Sequence, residues 1–108
     1  MMATFYRVVK RNPPTERDFL SMQALGRRLR ADTPENRRIY DGVSVYATLD
    51  GVRFLVERFP HMGAFVAILE VEEGKALRVE QTTPDPDHYT LWASSETLLA
   101  TVVEVVTL

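Results

Sequence analysis

"GVSVYATLDGVRFLVERFPHMGAFVAILEV", residues 42–71, reads as strand, helix and strand in close succession. Tyr40-Asp41-Gly42 is a turn signal, and Val43 to Ala47 is rich in residues that favour an extended chain. Thr48 then stands where a helix needs a side-chain oxygen to cap its first free N–H groups. Val52, Leu55, Val56 and Phe59 follow at helical spacing, so one face of that helix turns inward. Pro60 to Gly63 is a loop. Ala64 to Val71 is the most apolar segment of the chain and of strand length, which predicts a central strand with both faces buried.

Outward from this stretch the same reasoning fills in the rest. Ala3 to Val9, "ATFYRVV", is a strand ended by Pro13 and Pro14, which cannot continue a sheet interior. Thr15 caps a predicted helix whose inward face is Phe19, Leu20, Met22, Leu25 and Leu29. Gly26 weakens that helix and is a candidate for its early end. Thr33-Pro34-Glu35 starts a second, short one, with proline at its first position. Beyond Val71, Glu73-Gly74 turns the chain, and Ala76 to Gln81 returns as the expected hairpin partner of the apolar strand. His88 to Ala93 is a short strand, Ser94 or Ser95 starts a helical turn, and Leu99 to Leu108 is a closing strand. Strands outnumber short helices, so the fold class is α+β. One domain over residues 1–108 holds a mixed, mostly antiparallel sheet of five to six strands and two or three short helices.

A chain of 108 residues suits one core, and 45% hydrophobic with 26% charged residues is ordinary for a globular protein. No apolar run approaches the roughly 20 residues that span a bilayer, and the N-terminus lacks a signal-peptide pattern, so the expectation is a cytoplasmic protein with no membrane partner. The absence of cysteine excludes disulfides and thiol chemistry. The net charge of −2 hides an asymmetry: residues 1–58 hold eleven of the thirteen basic side chains but only seven of the fifteen acidic ones. Eleven of the basic residues are arginine, whose fork matches phosphate oxygens. An anionic ligand near the first half, or a merely solvated charged surface, both fit this pattern.

The common phosphate-binding signatures GxGxxG and GxxxxGK[ST] are missing, as is the G-x-S-x-G turn of many serine hydrolases. His61, His88, Asp85 and Asp87 are too scattered for a metal motif, and no metal site is expected. Two strand faces hold residues of chemical interest. Ser44 and Tyr46, two apart, share a face, which is either a pocket lining or the outward side of a strand whose Val43 and Val45 face the core. His88, Thr90 and Trp92 likewise share one, and an imidazole there titrates near neutral pH.

"YRVV" on the first strand, "DF" in the first helix, "GVSVYAT" leading into an apolar helix, and "HMGAFVAILEV" together resemble the ADP-ribosyltransferase-like superfamily. The resemblance implies a split β-core that binds NAD, and either transferase or NAD-degrading activity. Carried over by position, Arg7 is the first-strand basic residue that holds the dinucleotide. Ser44 and Tyr46 take the middle-strand position, where a hydroxyl bonds ribose and a ring stacks on nicotinamide. His88 joins this cleft from its own strand face and not from the resemblance: with Thr90, Trp92 and the nearby Tyr46 it either lines an aromatic pocket or lies on a half-buried strand whose Trp92 packs on a helix. Glu80 is the candidate catalytic carboxylate, with Glu104 second, although neither has the Glu-x-Glu or Gln-x-Glu spacing of the superfamily. The implied ligand is NAD, ADP-ribose or a related nucleotide phosphate, with a protein or RNA target as further partner. Two rival readings stand beside this one: a non-catalytic protein-interaction module on the same scaffold, and an RNA-binding domain using the arginine-rich first half.

Overall fold

The structure is a computed structural model that describes residues 2–29 and 31–108. Strand β1 (Met2–Val9) is followed by a 3-10 turn at Glu16–Phe19, helix α1 (Pro34–Tyr40) and strand β2 (Val43–Tyr46). Helix α2 (Leu49–Arg58), a second 3-10 turn at Pro60–Met62, and strand β3 (Phe65–Glu72) come next. Strands β4 (Arg78–Glu80) and β5 (His88–Trp92), helix α3 (Ser95–Ala100) and strand β6 (Val102–Thr107) complete the chain. The six strands form one sheet in the order β4-β5-β2-β1-β3-β6, and every pairing is antiparallel. The α+β class, the strand count and the three short helices match the expectation from sequence.

The sheet is split. β1 runs alongside β3 from Met2 opposite Glu72 to Val9 opposite Phe65, but it meets β2 at one register pair only, Tyr6 opposite Tyr46. Two three-stranded halves, β4-β5-β2 and β1-β3-β6, therefore touch at a single point of regular pairing. One face of both halves is the core. Phe5, Val9, Val43, Val45, Ala67, Leu69, Val71 and Leu91 line it, and Phe19 of the first 3-10 turn, Leu77 and Leu98 of α3 close over it. α2 packs on β1 and β2. Gly51, near the start of α2, lies so close to Tyr46 that an added Cβ would sit 3.0 Å from the ring, so α2 covers the face opposite the core.

The helix caps fall where side-chain chemistry put them. Thr33, Thr48 and Ser94 each accept a hydrogen bond from the backbone N–H three residues on, at 3.1 Å in every case. β3 is paired on both sides, and Ala67, Leu69 and Val71 are buried on its core face. Its other face is buried at Val66, half-buried at Ile68 and open by Glu70, so the expected two-sided burial holds only for the first half of the strand.

Two local expectations do not survive. The helix predicted from Thr15 through Leu29 is reduced to Glu16–Phe19: Phe19 is buried, while Met22 and Leu25 are 55% and 44% exposed. The reason lies in Asp18. An α-helix would need its carbonyl oxygen to accept from Met22 N–H, but that oxygen accepts from Arg7 Nε at 2.8 Å. Its carboxylate turns back to accept from the N–H groups of Lys10 and Thr15, both at 3.0 Å, and from Arg11 Nη1 at 3.2 Å. The second correction concerns β4, which pairs with β5 and not with β3. Both edges of β3 are already taken by β1 and β6, so the chain after Gly74 has no free edge there to return to.

Candidate functional site

Strand alternation decides how the candidate residues are divided. In β2, Val43 and Val45 are buried in the core, and Ser44 and Tyr46 are half-buried on the opposite face. Tyr46 lies opposite His88 on β5, and Ser44 lies opposite Thr90. Thr90 in turn lies opposite Glu80 on β4. Residues opposite one another in an antiparallel ladder project to the same side. Ser44, Tyr46, His88, Thr90 and Glu80 thus share one face of the β4-β5-β2 half-sheet.

Hydrogen bonds organise this face. His88 Nε2 is 3.1 Å from Ser44 Oγ, and His88 Nδ1 is 3.3 Å from Thr83 Oγ1. Thr82 Oγ1 lies 2.7 Å from Thr90 Oγ1, so the start of the loop that joins β4 to β5 folds back onto β5. The Tyr46 ring meets the His88 ring edge-on, with centroids 5.5 Å apart. Burial pushes the His88 imidazolium down below its usual pKa, opposed by the nearby Asp85 carboxylate. Burial and Asp85 together push the Tyr46 hydroxyl up, opposed by Arg58. At neutral pH the face therefore presents a neutral imidazole, a neutral phenol and four hydroxyls, of Ser44, Thr82, Thr83 and Thr90.

Glu80 sits at the rim of this face, where it pairs with Arg38 of α1. Its hydrogen bond with Arg38 holds the carboxyl below the usual range, so it is ionised at neutral pH. Arg38 also bonds Glu35 at 3.0 Å and stacks over the Trp92 ring at 5.2 Å, while Trp92 Nε1 donates to Arg38 O at 2.8 Å. Glu80 is thereby anchored to α1 and not free beside the imidazole.

Arg7 lies elsewhere. Tyr6 shares a face with Tyr46, so Arg7, the next residue on β1, projects to the core side with Phe5 and Val9. There its Nη1 donates to Ser44 O at 2.6 Å and its Nε to Asp18 O at 2.8 Å, with the guanidinium 6.0 Å from the Phe19 ring. Burial lowers its pKa to about 10, with the Asp18 charge acting in the opposite direction, and it stays protonated at neutral pH. Arg7 spans the split: its hydrogen bond to Ser44 O ties β1 to β2 beyond the single register pair. It touches the backbone of Ser44 while the Ser44 side chain points to the other face.

Among the described residues, two clefts border these elements. One, of about 440 Å³, crosses the split on the core side and is lined by Phe5, Ala47, Val79 and Tyr89 among others, with Glu73 at its edge. Phe5 and Tyr89 meet there with ring centroids 5.2 Å apart. The other, of about 460 Å³, lies between α2 and the loop before β5, bordered by Tyr46, Phe54, Arg58, Asp85 and Asp87. Tyr46 therefore joins the hydroxyl–imidazole face to the second cleft.

The residues that sequence reasoning missed are Thr83 and Arg38, while Thr82, which its place near Glu80 marked as able to orient that carboxylate, bonds Thr90 instead. Nothing in the sequence marks Arg38 as the partner of Glu80, since they meet only through tertiary packing. Among the described residues no group of three or more His, Asp or Glu side chains is placed to hold a metal ion, and no helix is long and apolar enough to cross a membrane.

The fold and this face define a small α+β domain with a split antiparallel sheet and a hydroxyl–imidazole surface on one half. Compared with known proteins, no family model matches the chain, and no curated protein or solved structure gives a match.

Proposed function

We propose that the domain binds a dinucleotide of the NAD type, or ADP-ribose, on the outer face of β4, β5 and β2. One observation carries this reading: Ser44, Tyr46, His88 and Glu80 fall on one face of three adjacent strands. Ser44 and His88 offer hydrogen bonds to ribose hydroxyls, and Tyr46, standing between that face and the cleft beside α2, offers a ring on which a planar base stacks. Arg38 supplies a guanidinium at the rim, and phosphate oxygens compete with Glu80 for it. Arg7 contributes from the far side by holding the Ser44 backbone in place. Turnover of the ligand requires Glu80 to leave Arg38, so binding is the activity proposed first and catalysis second.

Thermal unfolding with added NAD or ADP-ribose tests the reading, because a ligand that binds only the folded state raises the melting temperature by mass action. The expected result is a concentration-dependent rise that Ser44→Ala and Tyr46→Ala each reduce. No rise up to millimolar ligand overturns it and favours the interaction module.

A further inference from the structure

Ser44, His88 and Thr83 form a continuous hydrogen-bonded row, from Ser44 Oγ to His88 Nε2 at 3.1 Å and from His88 Nδ1 to Thr83 Oγ1 at 3.3 Å. A hydroxyl, a base within hydrogen-bond reach of it, and a third group that orients the base make up the arrangement that activates a nucleophile. Ser44 and His88 are each half-buried, so the row is held by its surroundings yet open to solvent. It comes from two separate parts of the chain: β2, and β5 with the loop that leads into it. We propose that Ser44 is an activated nucleophile that accepts the acyl group of a carboxylic ester, with His88 as its base and Thr83 as the residue that positions the imidazole.

The chemistry balances without a co-reactant other than water. With its proton on Nδ1 and donated to Thr83, the imidazole presents the Nε2 lone pair to the Ser44 hydroxyl. As the Ser44 Oγ–acyl carbon bond forms, the hydroxyl proton passes to Nε2. The ester C–O bond then breaks, and the leaving alcohol takes that proton. Water attacks the acyl-serine with the same base, releasing the carboxylic acid and restoring the Ser44 hydroxyl. The base must be neutral to act, and burial favours the neutral imidazole. Asp85 is the charged group acting on it from the loop, Tyr46 faces it from β2, and Glu80 on β4 is engaged by Arg38. Thr83 stands where a carboxylate would strengthen the base further, so acyl transfer is slow and covalent labelling is a better readout than turnover.

This inference uses Ser44 and His88 of the same face as the dinucleotide reading but does not depend on that ligand, and its probe contains no nucleotide. The full chain is treated with an alkyl fluorophosphonate, which forms an Oγ–phosphorus bond with loss of fluoride, and is read by intact mass and peptide mapping. The expected result is a single adduct on Ser44, absent in Ser44→Ala and formed at least about a hundredfold more slowly in His88→Gln, the usual scale for losing a general base. Thr83→Val slows it less. No adduct, an adduct shared equally with Ser94 and Ser95, or wild-type labelling of His88→Gln overturns the proposal. A measurement on the unaltered protein serves as a check independent of any variant: imidazole nitrogen NMR must find the His88 proton on Nδ1 at neutral pH. The opposite tautomer leaves Ser44 without a base and equally overturns it.

Discussion

Arg7 shows how far a single residue can be read. Alternation along β1 puts it on the same side as Phe5 and Val9, and that much was legible in "FYRVV". Its partners were not, because both are backbone carbonyls, of Ser44 and Asp18, and a carbonyl has no sequence signature. A charged donor on two part-buried acceptors is a strong contact, each such bond contributing about 1.5–3 kcal/mol. Arg7→Ala leaves both carbonyls without that donor and opens the split. The expected loss is about 2–4 kcal/mol of folding stability, seen as a lower midpoint in urea unfolding. Arg7→Lys should recover little, since an ammonium has no fork to reach two carbonyls at once. A wild-type midpoint for Arg7→Ala would mean that the guanidinium is not the link between the halves.

At the scale of elements, sequence signals succeeded where the deciding chemistry is local and failed where it is not. Caps are local, and Thr33, Thr48 and Ser94 all cap as their positions suggested. The apolar stripe from Phe19 to Leu29 has helical spacing, yet Arg7 and the Asp18 carboxylate end the helix after one turn. The partner of β4 was missed because pairing depends on which edges other strands already occupy. The join between the Pro60–Met62 turn and β3 rests on one residue. Gly63 approaches β1 so closely that an added Cβ would lie 2.4 Å from Val9 O and 2.8 Å from Val9 C. Those are backbone atoms of a paired strand, with no flexible end to move aside. Gly63→Ala should therefore cost about 1–3 kcal/mol, the range for forcing extra atoms into a packed site, measured by the same unfolding assay. Gly74→Ala, where an added Cβ meets nothing within 4 Å, is the control and should change little. Equal effects at the two positions would show that the cost does not come from the contact with Val9, since the chain-entropy change of Gly→Ala by itself favours the folded state.

For the whole molecule, the consequential feature is the unequal joining of the two halves. β1 and β3 share eight register pairs, whereas β1 and β2 share one. Opening of a folded chain follows its weakest seams, and amide hydrogen exchange reads the free energy of each opening. The split is such a seam. The α+β class and the strand positions were legible in the hydrophobic pattern, and a split core was expected from the resemblance alone; where the seam falls was not legible, since it depends on where two strands diverge and not on what either contains. The candidate site was legible to the same degree: Ser44 with Tyr46, and His88 with Thr90, were paired by spacing within strands, while their meeting across β2 and β5 came from register. Exchange under native conditions should show β1 and β3 amides protected to near the global stability, and β2 and β5 amides opening earlier as a unit. Arg7→Ala removes the link between the halves, so it should speed exchange in β2 and β5 more than in β1 and β3. Uniform acceleration across all four strands would show instead that the sheet opens only as one body, and that Arg7 stabilises it without acting at a seam.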